Sequence, residues 1–208
     1  MLFFCFSNIS VPLGIPVMDT VRDILDILLV LVMLPDIAGE AKKFGDNKKS
    51  LWLIPLGVVM LICLQGILWD SIIMGMIRPA VGITADNANT SRISEMMKAN
   101  PIFMGCMACV YGPVPEELLY RYTAFGMLYE KNKFLAYTVP SLLLAFRHVS
   151  EAGIWGGDTA QLINTPSYII AGLIFAFLYV KTKNICVPIG AHILMNSFGV
   201  LMLLRLAR

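Results

Sequence analysis

Residues 51–77 read LWLIPLGVVMLICLQGILWDSIIMGMI, a run of 27 residues that is apolar almost throughout. As a helix it would be ~40 Å long at 1.5 Å per residue. That length crosses a ~30 Å hydrocarbon core with tilt to spare. The rest of the chain agrees. Of 208 residues, 58% are hydrophobic and only 14% are charged, with a mean hydropathy of +0.75. A soluble domain carries roughly 25% charged residues. A soluble enzyme and a disordered regulator are therefore excluded, and a net charge of +2 is too small for a nucleic-acid surface. The expectation is an all-α, polytopic transmembrane bundle of about six to seven helices, one integral membrane domain over residues 1–208.

Working outward, further spans are expected at about 20–38, 101–129, 134–149, 166–180 and 185–206. Arg22, Asp23 and Asp26 weaken the first of these. Gly112, Pro113 and Pro115 interrupt the third, where missing donors predict a kink or break and a fresh helix from about Pro115. Residues 78–100 read as a loop with a short surface helix, and 150–165 as an outer or shallow re-entrant loop. Lys42, Lys43, Lys48, Lys49, Lys131, Lys133, Lys181 and Lys183 fall in alternate loops, which the positive-inside rule assigns to the cytoplasm. The apolar N-terminus has no basic residue ahead of it and makes a poor signal peptide. Whether residues 1–18 form a further span is left open. Five cysteines, an odd number, argue against a disulfide framework. Cys106 and Cys109 lack a second CxxC and read as small interface residues.

Charged groups at the bilayer centre cost about 2.5–3.5 kcal/mol, so each needs a reason. Glu116, Glu117 and Arg121 lie in PEELLYRY, His148 closes the fourth span, and His192 and Asn196 lie in GAHILMN. Glu117 and Arg121 are i and i+4 on one helix face, as are His192 and Asn196. Counted from the cytoplasmic turns, Glu116 and His148 both come out near ~21 Å and Asn196 near ~17 Å. A lone histidine or Glu–Arg pair is often structural. Polar groups from three helices at similar depth point instead to one interior site. Arg147 is expected to snorkel to the outer interface.

These residues resemble the three motifs of the CAAX-processing and bacteriocin-processing (CPBP, or Abi) intramembrane proteases, a group that includes Rce1-like prenyl-protein endoproteases. The motifs are Glu116-Glu117-x-x-x-Arg121, His148 and His192-x-x-x-Asn196, in the family's order; the family's usual Phe four residues before the second-motif His is Leu144 here. The resemblance implies a catalytic core over 101–206 and an intramembrane endopeptidase of the cell membrane, of bacterial plasma-membrane type. It implies that Glu116 and His148 activate water, that His192 and Asn196 stabilise the oxyanion, and that Glu117 and Arg121 support them from behind. The implied partners are membrane lipid and a peptide or protein substrate at the membrane, as in peptide processing or bacteriocin self-immunity, with no nucleic acid. No cofactor is favoured, although Glu116, His148 and His192 would be a plausible zinc set. Two other classes compete: a non-catalytic scaffold regulating a partner such as a sensor kinase, and a proton-coupled transporter. The full motif set disfavours the first, and small size without visible repeats disfavours the second.

Overall fold

The computed structural model describes residues 16–46, 48–84 and 86–206; most of the N-terminal stretch left open as a further span lies outside them. The described residues form helices α1 (Pro16–Val32), α2 (Leu34–Asp46), α3 (Ser50–Ala80), α4 (Ala88–Ala99), α5 (Pro101–Tyr129), α6 (Lys133–Ser150), α7 (Thr165–Thr182) and α8 (Cys186–Leu206). Among them there is no strand. Among the described residues four helices are long and apolar enough to cross a membrane: α3, α5, α7 with the turn before it, and α8. The expected first span divides at Met33, just before Pro35, into α1 and α2. The expected fourth span, α6, packs one face into the bundle through Ala136, Pro140, Ser141, Leu144 and Ala145 and leaves Phe134, Leu135 and Leu142 exposed on the other.

Asparagines start several helices. Asn87 accepts from the backbone N–H groups of Asn89 and Thr90, Asn100 from Phe103, and Asn132 from Leu135. Each side chain satisfies donors that the first helical turn leaves open. At the other end of α7, Lys183 adopts φ +50° and closes the helix. Asn184 then donates to the Glu40 carbonyl at 2.7 Å, tying α2 to the turn between α7 and α8.

The kink or break expected in α5 takes the form of widened turns rather than a break. The backbone continues through 101–129 by widening into π turns at Met107–Tyr111 and Leu118–Phe125. Gly112 N–H reaches back five residues to Met107 O at 2.9 Å. That leaves Ala108 O without its i+4 donor, and the next donor along would come from Pro113, which has none. The Asn196 amide fills the gap, donating to Ala108 O at 2.8 Å. A proline that would end a free helix is tolerated because a side chain from α8 takes the orphaned carbonyl.

The core has one main cluster, built by Leu61 of α3, Ala171, Ile174, Phe175 and Leu178 of α7, and Val187 and Ala191 of α8. A smaller cluster of Phe125, Ala136 and Ala176 is ringed by Tyr129, Tyr137 and Tyr179. Helices α6 and α7 approach closely at Gly172, where an added Cβ would lie 2.7–2.9 Å from Ser141, backbone included. By contrast α3 is buried over only 11% of its most apolar window. Its exposed Leu56, Val59, Leu64, Ile67, Leu68 and Ile72 form the lipid-facing surface expected of such a span.

Candidate active site

A cavity of about 470 Å³ opens between α3, α5, α6, α7 and α8, and Glu116, His148, His192 and Asn196 all line it. The second π segment of α5 begins just after Glu117, and the helix points Glu116 and Glu117 inward together, 6% and 0% exposed. Their tasks differ. Glu116 faces the cavity: its Oε2 lies 3.9 Å from His148 Nε2 and 3.9 Å from His192 Nε2. Glu117 lies behind the cavity, its Oε1 at 2.9 Å from His192 Nδ1 and 3.3 Å from Arg121 Nη1.

The i, i+4 pair read from sequence is therefore present, and Glu117 also serves a histidine 75 residues away. A carboxylate only accepts, so His192 Nδ1 carries the proton and its Nε2 turns to the cavity. The ring is held further by stacking on Phe175, with centroids 4.5 Å apart. Arg121 is 1% exposed; it reaches Gly172 O at 3.3 Å and lies over the Phe175 ring. His148 stacks on Tyr168 at 4.4 Å and 8°.

Arg147 does not snorkel. Its Nη2 lies 3.0 Å from Asp26 Oδ2 on α1, and its Nε 3.5 Å from Glu116 Oε1. The reason is burial: Asp26 is 3% exposed, and a buried carboxylate holds a guanidinium more strongly than a distant interface can. So α1, whose acids had looked like flaws in a span, supplies a counter-charge to the site. Two opposite charges in separate apolar segments, Asp26 and Arg147, were the available signal. The cavity wall also draws on residues before 101, among them Leu61, Gln65 and Asp70 of α3 and Asn87 at the start of α4. A polar side chain in a 27-residue apolar run was again the clue.

The arrangement can do hydrolytic chemistry. It offers a buried carboxylate beside two imidazoles, one with its tautomer set, and a carboxamide, all facing one cavity. Comparison with known proteins points the same way. Residues 98–198 match the family described as type II CAAX prenyl endopeptidase Rce1-like. The chain is 33% identical over 187 residues to the Bacillus subtilis protein named "Putative membrane peptidase YdiL", covering 88% of this chain and 69% of that one. It is 32% identical over 120 residues to "Membrane-embedded CAAX protease MroQ" of Staphylococcus aureus, covering 54% of this chain and 44% of that one. It is also 26% identical over 136 residues to "UPF0177 protein YvdC" of Lactococcus lactis, covering 65% and 49%. No solved structure matches. A helical, membrane-spanning bundle with its carboxylate and histidines in one interior cavity, matched in sequence to these proteins, belongs to the Rce1-like family and is a multi-pass membrane peptidase.

Proposed function

We propose that the chain cuts a membrane-associated peptide or protein by a water molecule activated between Glu116 and His148. The processing of a peptide precursor, or self-protection against a bacteriocin, is the physiological setting that fits best. The observation that carries this reading is the convergence of two imidazole Nε2 atoms on one carboxylate oxygen, 3.9 Å from each. Partners so spaced can each lie about 2.8 Å from one central water, a hydrogen-bond distance, with angles near 90° at its oxygen. Glu116 takes the proton as the water oxygen attacks the scissile carbonyl, and then delivers it to the leaving amine. One Asn196 N–H is spent on Ala108 O, and the second remains to donate to the oxyanion. His192 faces the same space with Nε2; its Nδ1–H is given to Glu117, so it can donate to the oxyanion only in the form that carries a second proton, whose charge Glu117 would balance.

The same atoms bear on a zinc alternative. Tetrahedral zinc with bonds of about 2.1 Å places its ligands roughly 3.4 Å apart, closer than the 3.9 Å separations here. The spacing suits a water better than a metal, so the mechanism is proposed without one. The test is mass spectrometry of peptides released from candidate membrane substrates by purified wild-type protein and by Glu116→Ala, with and without exhaustive chelation. Release by wild type alone, surviving chelation, supports the reading. Release that is lost on chelation and restored by zinc makes Glu116, His148 and His192 a ligand set instead.

A further inference from the structure

The two histidines of the cavity are held in different ways. His192 gives Nδ1–H to Glu117 at 2.9 Å, and its ring stacks on Phe175. His148 approaches Glu116 Oε2 with Nε2 at 3.9 Å, and its Nδ1 has no hydrogen-bond partner among the described residues. Its side chain is also the more open of the two, 22% exposed against 10%. The last torsion of a histidine is broad and roughly two-fold, so the side chain does not set its own ring plane. A water shared with Glu116 needs that plane, because the bonding directions of an imidazole nitrogen lie within the ring.

The group that lies flat against His148 is Tyr168, in the first turn of α7. The two rings are 8° from parallel, with centroids 4.4 Å apart. Turning the imidazole about its last torsion would drive its edge into the face of the tyrosine. Tyr168 is itself tethered. Asn87 Nδ2 donates to its hydroxyl at 3.2 Å, and that hydroxyl lies 3.3 Å from Asn87 Oδ1. The same Oδ1 caps α4 by accepting from the backbone N–H groups of Asn89 and Thr90, which decides the end of the carboxamide that is oxygen. Gln161, in the turn before α7, accepts from Ala88 N–H and donates to Asp86 O. Arg92 of α4 meets Glu151, just past the end of α6, at 2.6 Å. The start of α4 is thus joined to both segments that carry the stacked pair.

We infer that Tyr168 is the positioning residue of His148, and that Asn87 holds Tyr168 in that role. Tyr168 does for His148 what Glu117 does for His192: it selects the ring plane in which Nε2 meets the shared water. The inference rests on the peptidase reading of the same cavity. It makes α4, which supplies no group to the chemistry, a requirement for turnover.

The chain has two histidines, so full-length protein labelled at histidine gives two imidazole signal sets by NMR in detergent, assigned through His192→Gln. Tyr168→Leu removes the ring and Tyr168→Phe only its hydroxyl. Asn87→Ser keeps a helix cap but is too short to reach Tyr168. The carbon-bound ring protons of His148 should shift in Tyr168→Leu and broaden or split in Asn87→Ser, while those of His192, stacked on Phe175, keep their positions. Turnover is read on internally quenched apolar decapeptides. In Tyr168→Leu, kcat should fall at least ~10-fold with KM within about 2-fold. Asn87→Ser should lower kcat about 3-fold or more alone, and not at all when added to Tyr168→Phe, since the contact it removes is then already gone. His148 signals indifferent to both Asn87→Ser and Tyr168→Phe overturn the inference. So does a loss confined to KM, or His192 signals that move as much as those of His148. If Tyr168→Leu does not fold, the other two variants and their double carry the test. The expected histidine signals without any cleavage by wild type support the positioning role and count against the peptidase reading. Cleavage with unresponsive His148 signals overturns the positioning role alone.

Discussion

Glu117→Ala should destabilise the protein well beyond Glu116→Ala, although the two acids are adjacent. Glu117 is fully buried and shares one oxygen between Arg121 and His192. Removing it leaves Arg121, itself 1% exposed, with a backbone carbonyl and an aromatic face but no counter-charge. Stripping one partner from a buried ion pair costs about 3–5 kcal/mol, and the lost acceptor of His192 adds about 1–3 kcal/mol. Glu116→Ala is milder, because Arg147 keeps Asp26 at 3.0 Å; about 1–2 kcal/mol is expected. The assay is thermal unfolding in one detergent for wild type, both alanine variants, Glu117→Gln, and the double variant Glu117→Ala/Arg121→Met. The double variant should recover part of the loss, since it removes the orphaned charge. Equal midpoints for Glu116→Ala and Glu117→Ala would refute the reasoning, and so would a double variant no more stable than Glu117→Ala.

Other substitutions test the remaining contacts. Arg147→Met should lower kcat about 10-fold or more with little change in KM, because it frees the Glu116 carboxylate, and Arg147→Lys should restore part of it; a change confined to KM would count against a positioning role. Asn196→Ala should cost about 1–3 kcal/mol of stability through the orphaned Ala108 carbonyl, besides any loss of turnover. Pro113→Ala restores a backbone donor in that turn, so denaturation of the two single variants and their double should show a non-additive coupling of about 0.5–3 kcal/mol. Gly172→Ala should destabilise by about 1–3 kcal/mol because its methyl collides with the Ser141 backbone; an unchanged midpoint would mean α6 and α7 part easily.

The helical bundle and the meeting of Glu116, His148, His192 and Asn196 were legible because depth along a helix adds up at a fixed rise per residue. The Glu117–Arg121 pair was legible because it is local. What escaped depends on azimuth. Two π turns in α5 change the phase of side chains relative to an ideal 3.6-residue helix, and proline spacing gave a kink or break without showing that the backbone widens there. The His192–Glu117 bond joins residues 75 apart, and Asp26–Arg147 joins residues 121 apart. Nothing local in the sequence singles out either pairing. Snorkelling was a sound default for Arg147 until a buried acid on α1 offered a nearer partner.

The widened turn at Met107–Tyr111 also limits how the chain can vary in length. One residue of an α-helix corresponds to about 100° of rotation. A π turn spends one residue more than an α turn on about the same rotation, so deleting one residue here would restore regular spacing and leave the two flanks in phase, with Ala108 O now four residues before Pro113 and still open to Asn196. A further insertion, by contrast, would turn everything N-terminal to it by that angle relative to Glu116, swinging Ala108 O away from Asn196 and pulling α4 with its Asn87 contact to Tyr168 from the cavity. Single-residue changes in length should therefore be tolerated at the surface turn near Gly156 and Gly157, whereas between 107 and 111 a deletion should be tolerated and an insertion damaging, though no proposed catalytic group lies in that segment.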